Sequence, residues 1–275
     1  MPGERPAFDP ADPAHVALYD ELPLWSALAG EMLLEIVPLD ARHALDLGCG
    51  AGFPALELAE RLGAGSHVTG IDPWRAALGR AHAKRSAWPV TNVSLVHGDG
   101  ATLPFRAGAF GLVVSNLGVN NFADPAAALA ECARVLGDGG ALALATNLAG
   151  TFAELDEALD AVLAREGDEE SRARLRAHAA HRVTVAGLGR LLEAAGFRVD
   201  EVRERRASLR LRDGGALLAH HFLRLGFLPA LRDVAGEGQA DRVLAALREE
   251  LDRRAGRNGL ALTVPLAAVL ARRAA

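Results

Sequence analysis

ALDLGCGAGF, residues 44–53, is the stretch that decides the fold of this chain. An apolar run with one acidic residue, Asp46, passes into alternating glycines at Gly48, Gly50 and Gly52, and a helical pattern starts near Pro54. This order predicts a strand, a tight turn and a helix. Glycine permits the unusual backbone angles of such a turn and lets a ligand approach the backbone. The free N–H groups at the helix start then face that ligand.

Two ligand classes use such a turn, and the residues around it separate them. The dinucleotide pattern G-x-G-x-x-G needs a small residue where this chain has Phe53, and it places a pyrophosphate on the helix start. Here the last glycine, Gly52, comes one position early. Asp46 would also bring a carboxylate near that pyrophosphate, and like charges repel. A ligand with a cationic amino group and no phosphate, such as S-adenosylmethionine, fits this turn better.

Further strand ends follow in an order typical of a doubly wound α/β fold. A second strand, residues 67–72, ends at Asp72. This residue follows the glycine turn by about 20 residues, the distance at which doubly wound folds place a ribose-binding acid. A third strand, 93–97, leads into Gly98, Asp99, Gly100 and Ala101, and a fourth, 110–116, ends at Asn116. A loop at 134–140 precedes a fifth strand at 141–145. The chain therefore repeats strand and helix through this region.

Residues 40–147 resemble the class I S-adenosylmethionine-dependent methyltransferases, in particular the ubiquinone and menaquinone biosynthesis group, also called methyltransferase type 11. The resemblance implies a Rossmann-like, doubly wound sheet of seven strands whose last strand is antiparallel. It also implies S-adenosylmethionine as the cofactor and methyl transfer as the activity.

The resemblance further implies which residues hold the cofactor. Asp72 would accept the ribose hydroxyls, Asp99 would lie beside the adenine amino group, and Tyr19 of an N-terminal helix would cap the cofactor. The implied cofactor-binding set is Tyr19, Asp46, Gly48, Cys49, Gly50, Gly52, Asp72, Pro73, Trp74, Gly98, Asp99, Gly100, Ala101, Asn116 and Leu117. Simpler roles compete with several of these. Asp72 or Asp99 could be only the N-cap of a following helix, Trp74 could be a core residue, and Cys49 a small turn residue.

The regions outside this core suggest where a substrate binds. Residues 1–39 form an N-terminal cap region with a helical pattern over 14–36, in which Trp25 contacts the substrate or packs in the core. Residues 40–205 and 259–275 form the core, with a helical insertion at 147–182. Residues 206–258 form a helical lid between strand six, 197–202, and strand seven, 260–272. Because this segment is too long for a hairpin connection, we expect it to be functional.

The lid contains the candidate catalytic residues, the adjacent pair His220 and His221. A neutral imidazole can accept a proton near physiological pH, so either could be a general base. The alternatives are a hydrogen-bonded core role for His221 and a solvated side chain for His220, which would point apart if both lie on one helix. Phe222 and Arg224 are candidate substrate contacts. The spacing predicts no metal site.

After strand four, Asn120 and Asn121 could orient a substrate, although such pairs also serve turns. The N-P-P-Y-type signature of enzymes that methylate adenine or glutamine is missing there. The apolar lid instead favours an apolar small molecule methylated on an O, N or C atom. A protein methyltransferase and a non-catalytic scaffold protein that binds S-adenosylmethionine are the alternatives.

The composition of the chain argues against several kinds of partner and location. The net charge of −5 argues against a nucleic-acid partner. With two cysteines, Cys49 and Cys132, we expect no disulfide and a reducing, cytoplasmic location. The N-terminal residues do not resemble a signal peptide, and no apolar stretch is long enough to span a bilayer.

Overall fold

The computed structural model describes residues 9–21, 24–236 and 238–274. These residues form twelve helices and seven strands. They divide into two compact units. The larger unit comprises residues 10–147, 183–205 and 266–274, and the smaller one comprises Asp9, Leu148–Arg182 and Arg206–Pro265.

One seven-stranded sheet runs in the order β3-β2-β1-β4-β5-β7-β6. The pairs β1–β2, β1–β4, β2–β3 and β4–β5 are parallel, and β7 is antiparallel to β5. The predicted fold class is thereby confirmed. The strands are β1 His43–Leu47, β2 His67–Asp72, β3 Val93–His97, β4 Phe110–Asn116, β5 Leu136–Asn147, β6 Phe197–Leu211 and β7 Leu260–Arg273.

Central strand β1 is buried on both faces, since Ala44, Leu45, Asp46 and Leu47 are all inaccessible to solvent. Such burial is typical of parallel sheets covered by helices on both sides. The strand order reverses between β1 and β4, and ligands of open α/β sheets bind beyond the carboxyl ends of the strands at that point. The topology therefore places a crevice directly after Leu47.

Six helices belong to the larger unit. Two of them cover the stretch 14–36, for which the sequence predicts a helical pattern. Residues 22 and 23 of that prediction lie outside the described residues. The helices are α1 Pro13–Glu21, α2 Leu24–Ile36, α3 Ala55–Leu62, α4 Arg75–Ala87, α5 Pro125–Val135 and α8 Val185–Ala194.

The fifth and sixth strands are longer than predicted. Helix α5 passes directly into β5 at Leu136, and a register shift lies between Phe110 and Leu112 on the paired strand β4. The predicted loop 134–140 is therefore mostly strand. Strand β6 continues to Leu211 rather than ending near residue 202, with side chains that alternate in exposure.

Helices from both insertions form the smaller unit. Arg165 of α6 pairs with Glu250 of α12 at 2.9 Å, and Arg174 of α7 donates to the carbonyl of Val234 in α11 at 2.9 Å. The structure thus groups residues 148–182 with 206–265, whereas the sequence predicts the first insertion as part of the core. The helices are α6 Ala153–Glu166, α7 Glu169–Ala180, α9 Gly214–Ala219, α10 His221–Gly226, α11 Leu228–Ala235 and α12 Ala240–Arg254.

No helix in the described part of the chain is both long and apolar enough to cross a membrane.

Candidate functional site

A cavity of about 310 Å³ lies in the larger unit at the carboxyl ends of β1, β2 and β4. Its volume is at the lower end of the range for small-molecule sites, about 300–1,000 Å³. The turn after β1, the end of β2, the end of β4 and helix α1 contribute its walls. The lining residues are Tyr19, Asp20, Ser26, Gly48, Cys49, Gly50, Ala51, Phe53, Asp72, Pro73, Trp74, Asn116, Leu117, Gly118, Asn121 and Phe122.

The glycine turn forms one wall of this cavity. Gly48, Gly50 and Gly52 have φ angles of 78°, 50° and 100°, which side-chain-bearing residues rarely adopt. A Cβ at Gly48 or Gly50 would meet no protein atom within 4 Å, so both face open space. At Gly52 it would approach Leu56 and Ala81 at 3.1 Å. Gly52 therefore serves the packing of the following helix, and the other two leave the backbone open to a ligand.

Asp72 joins the end of β2 to this turn. One carboxylate oxygen accepts from the Gly50 N–H at 2.8 Å, and the other accepts from the Trp74 N–H at 2.7 Å. Helix α4 begins only at Arg75, with Trp74 as its N-cap residue, so Asp72 is not the cap that the simpler interpretation proposed. Burial raises the pKa of Asp72, while the two backbone N–H groups oppose the shift.

Two buried polar groups near the turn lack partners. Among the described residues, neither carboxylate oxygen of Asp46 nor Oδ1 of Asn116 has a hydrogen-bond partner. Burial raises the pKa of Asp46 to about 8, and the nearby charge of Asp72 adds to the shift. Asn116 lines the cavity and donates its Nδ2 to the Ser26 carbonyl at 3.0 Å. Asp46 lies behind the turn and does not line the cavity.

Cys49 lines the cavity as a neutral thiol. Burial, and after it the charges of Asp46 and Asp72, raise the pKa of its side chain. A thiol held in this form is a poor nucleophile. This supports a role as a small turn residue.

Helix α1 closes one side of the cavity. Tyr19 meets Trp74 edge to face with ring centroids 5.4 Å apart, and Trp74 Nε1 donates to the Pro10 carbonyl at 2.6 Å. Asp20 accepts from Arg80 at 2.9 Å and from Lys84 at 2.6 Å, both on α4. Partial burial and the negative charge of Asp72 raise the pKa of the Tyr19 hydroxyl. These contacts hold α1 against α4 beside the cavity.

The loop after β3 does not line this cavity. Asp99 is exposed, and its Oδ1 accepts from the Ala101 N–H at 2.8 Å. All residues between β3 and β4 are described, and none of them lies in a helix. Asp99 is therefore not a helix cap. A Cβ at Gly98 would approach Ile71 at 2.8 Å and one at Gly100 would approach Leu47 at 3.0 Å. The adenine role of Asp99 remains a prediction.

Asn120 and Asn121 have different surroundings. The Asn120 amide donates to Thr146 Oγ1 at 2.9 Å and to the Asn147 carbonyl at 2.7 Å, and it accepts from the Val183 N–H at 3.1 Å. Asn121 lines the cavity and donates to the Leu117 carbonyl at 2.8 Å. The contacts of Asn120 favour the structural role, whereas Asn121 is placed where a ligand could reach it.

The histidine pair lies in the smaller unit. His220 is the last residue before α10 and has φ −65° and ψ 129°, which separates α9 from α10. The two imidazole rings lie side by side with centroids 4.3 Å apart. The expectation that these side chains point apart on one helix was therefore wrong, because His220 leaves the helical conformation.

The other candidate substrate residues lie in both units. In the smaller unit, Phe222 packs on Phe227 with ring centroids 5.3 Å apart, and the Arg224 N–H donates to the His220 carbonyl at 3.0 Å. Trp25 lies half-buried on α2 in the larger unit and does not line the cavity. Among the described residues no group of three or more His, Cys, Asp and Glu side chains could hold a metal ion.

Several cavity residues were not singled out from the sequence. Asp20, Ser26, Gly118, Phe122 and Phe53 contribute to the lining. The ring of Phe53 lies so close to Gly30 that a Cβ on Gly30 would come within 2.2 Å of it. Phe53 stands in the deciding stretch, so its position after the glycines could have indicated a wall residue. The others depend on helix packing that local sequence does not encode.

These residues fit S-adenosylmethionine. The open positions at Gly48 and Gly50 admit a ligand against the backbone, and Asp72 keeps further lone pairs for hydroxyl donors. The unpartnered Oδ1 of Asn116, which lines the cavity, can accept a hydrogen bond from an amino group.

The sequence profile of the family described as "Methyltransferase domain", type 11, matches residues 45–144. This match covers about a third of the chain. The match runs from β1 into β5 and so contains the glycine turn, Asp72 and Asn116. The cofactor that this family implies is S-adenosylmethionine.

Curated relatives match over part of their length. An uncharacterized 37.1 kDa transposon protein of Streptomyces fradiae is 35% identical over 140 residues, 50% of this chain and 40% of its own. The demethylmenaquinone methyltransferases of Listeria monocytogenes and Staphylococcus aureus are 36% and 39% identical over 101 and 97 residues, 37% and 35% of this chain. This chain covers 43% and 39% of those two proteins. It thus spans about two-fifths of the length of these relatives.

Solved structures share the fold. The YcgJ protein of Bacillus subtilis aligns with a TM-score of 0.59 at 16% identity, over 90% of this chain and 98% of its own. A SAM-dependent methyltransferase of Aquifex aeolicus aligns with a TM-score of 0.53 at 21% identity, over 70% of this chain and 91% of that protein. The cyclase SpnF aligns with a TM-score of 0.55 at 19% identity, over 90% of this chain and 80% of that protein. At these identities the likeness concerns the fold, which by itself does not determine the reaction.

Proposed function

We propose that the protein is an S-adenosylmethionine-dependent methyltransferase that methylates an O, N or C atom of an apolar small molecule. The observation that carries this proposal is the open glycine cradle at Gly48 and Gly50, linked by a hydrogen bond to Asp72, within a methyltransferase domain. Asn116 adds an unpartnered oxygen in the cavity, and the buried Asp46 lies behind the turn.

The cofactor supplies a methyl group already activated by its attachment to a sulfonium sulfur. The chain itself mainly binds and orients the cofactor and the acceptor. Asp72 would accept the ribose hydroxyls, the turn would lie against the methionine part, and Asn116 would accept from its amino group. Correct orientation of two reactants contributes on the order of 7 to 11 kcal/mol to such a reaction. A base is required only if the acceptor atom must lose a proton.

We assign acceptor binding to the smaller unit. Its aromatic side chains Phe152, Phe222 and Phe227 pack in a row, with ring centroids 4.8 Å and 5.3 Å apart. His220 and His221 are the proposed general bases, and Phe222 and Arg224 are proposed acceptor contacts. The net charge of −5 and the apolar lid support a small apolar acceptor over a nucleic acid.

The activity is tested in two steps with purified protein. Titration calorimetry should detect binding of S-adenosylhomocysteine and none of NAD. Incubation with S-adenosylmethionine labelled in the methyl group should then label compounds from a panel of apolar alcohols, phenols and amines, with mixed protein extract as the comparison. NAD binding without S-adenosylhomocysteine binding would end the proposal. Label transfer confined to the protein extract would favour a protein methyltransferase.

A further inference from the structure

Another cavity of the larger unit has a volume of about 430 Å³ and is lined by α3, by the end of α4 and by residues that flank these helices. This volume lies within the range of small-molecule sites, about 300–1,000 Å³. We call it the Trp88 cavity, after the lining residue that follows α4. Phe53 lines both this cavity and the cofactor cavity. The proposed methyl transfer makes no use of the remaining residues of the Trp88 cavity.

Trp88 is exposed and yet fixed in position. Its side chain is 71% accessible to solvent, although tryptophan is highly buried on average. The indole Nε1 donates to Glu60 Oε1 of α3 at 2.9 Å, and the backbone N–H donates to the Lys84 carbonyl of α4 at 3.0 Å. These two hydrogen bonds connect Trp88 to both helices. The cavity therefore has an aromatic wall that is in place before a ligand arrives.

Glu60 brings a negative charge to the same wall. Its carboxylate accepts from the Trp88 indole, and it forms no ion pair with the residues that the structure describes. An ionised carboxylate offers about four lone-pair sites, so Glu60 can accept further hydrogen bonds. The other carboxylate in the lining, that of Glu57, is paired with Arg61 at 2.8 Å.

The rest of the lining is apolar apart from Lys84, whose ammonium lies 2.6 Å from Asp20 Oδ1. Phe53 and Leu56 are half-buried and supply part of the apolar surface. Since the other charges of the lining are paired, the charge of Glu60 is left uncompensated. A cation that carries an apolar chain complements such a lining in both charge and polarity.

We propose that the Trp88 cavity binds a guanidinium group on an aliphatic chain, with the cation against the Trp88 indole and hydrogen-bonded to Glu60. A guanidinium is planar, stacks on aromatic faces and presents several N–H donors to a carboxylate. Tryptophan is the aromatic side chain that attracts cations most strongly. The aliphatic chain would lie on the apolar part of the lining.

Other ligand classes fit this lining less well. An ammonium group is more strongly hydrated than a guanidinium and gives up more when it leaves water for an indole face. An anion would be repelled by Glu60, and a neutral ligand would leave its charge without a partner. The inference does not depend on the proposed function, because it concerns a different cavity.

Butylguanidinium is the probe, and butylurea, of nearly the same shape but without charge, is its control. Calorimetry on the intact protein, with S-adenosylhomocysteine in excess, should show butylguanidinium binding at least about fivefold more tightly than butylurea. Equal binding of the two compounds would overturn the proposal. Displacement of butylguanidinium by S-adenosylhomocysteine would place the probe in the cofactor cavity and would also overturn it.

Substitutions give a second readout. Glu60→Gln keeps an acceptor for the indole N–H and removes the charge, and Trp88→Leu removes the aromatic face. Each should weaken butylguanidinium binding at least about fivefold. Glu193→Gln, an exposed position on α8 outside this lining, is the matched control and should have no effect. Parental affinity in both cavity variants would contradict the inference, and the comparison of the two compounds on the parent protein decides it if a variant does not fold.

A short acetylated and amidated peptide with one arginine identifies the source of the guanidinium. Tighter binding of this peptide than of butylguanidinium would indicate the side chain of a partner protein, and weaker binding would indicate a small molecule. Either result supports recognition of a guanidinium. Failure of both the peptide and butylguanidinium to bind would overturn the proposal.

Discussion

Asp72, at the end of β2, accepts a 2.8 Å hydrogen bond from the backbone N–H of Gly50 in the turn after β1. The carboxylate proposed to bind ribose therefore also fixes the glycine turn. Ligand binding and turn geometry are coupled through this one side chain.

Asp72→Ala should weaken S-adenosylhomocysteine binding by about 2 to 4 kcal/mol, the loss of one or two charge-assisted hydrogen bonds, and leave the domain folded. Titration calorimetry measures the affinity, and circular dichroism checks the fold. Asp138→Ala is the matched control, because that carboxylate is fully exposed and does not line the cavity. Parental affinity in Asp72→Ala would mean that the carboxylate serves only the turn.

Asp46 makes the ligand-free protein sensitive to pH. Its pKa, raised by burial to about 8, lies above the unfolded value of about 3.9. The folded state therefore holds a proton that the unfolded state loses, and stability falls as the pH rises from about 4 to about 8. Asp46→Asn should remove much of this loss. Its free energy of unfolding should exceed that of the parent by about 1 to 3 kcal/mol at pH 8. Some slope remains, since the pKa of Asp72 is also raised.

Urea unfolding at pH 5 and pH 8 measures this difference. Glu57→Gln, at an exposed position, is the control. An Asp46→Asn protein no more stable than the parent at pH 8 would contradict the shifted pKa.

Asp20 should control how fast the cofactor leaves. It is 12% exposed and pairs with both Arg80 and Lys84. Because those partners are about one-third exposed, each pair contributes about 1 kcal/mol or less. Asp20→Asn should speed dissociation of S-adenosylhomocysteine by about two- to fivefold in stopped-flow measurements. An unchanged rate would show that α1 does not limit release.

Asn120→Ala and Asn121→Ala should differ in stability. Asn120→Ala leaves the Val183 N–H and the end of β5 without their partner and should cost about 2 to 3 kcal/mol of unfolding free energy. Asn121→Ala removes one hydrogen bond at an exposed residue and should cost about 1 kcal/mol or less. Equal losses would contradict the structural role of Asn120.

The sheet and the turn could be predicted because their signals are local. Apolar runs bounded by Asp, Asn and Gly mark β1, β2 and β4, and the alternating glycines require positive φ at Gly48, Gly50 and Gly52. The longer bounds of β5 and β6 could not be predicted, since they depend on pairing between distant strands.

The features missed from the sequence depend on tertiary packing. Nothing in the run from Ala216 to Leu225 marks a helix break, yet His220 is extended and turns its ring beside that of His221. Likewise, Asp20 follows a tyrosine in an ordinary helical pattern, and its pairing with Arg80 depends on how α1 meets α4. In the second case the partner lies 60 residues away, outside the window that a periodicity analysis covers.

Lys84 is the only lysine of the chain, and its ammonium group is bound by Asp20 of α1. An amine-directed reagent therefore has one side-chain target besides the terminal amine. A protonated amine held by a carboxylate does not react until the pair opens, so the rate of labelling at Lys84 reports how often α1 separates from α4. Lys84 thus offers a chemical probe for the motion that uncovers the cofactor cavity, with no engineered label.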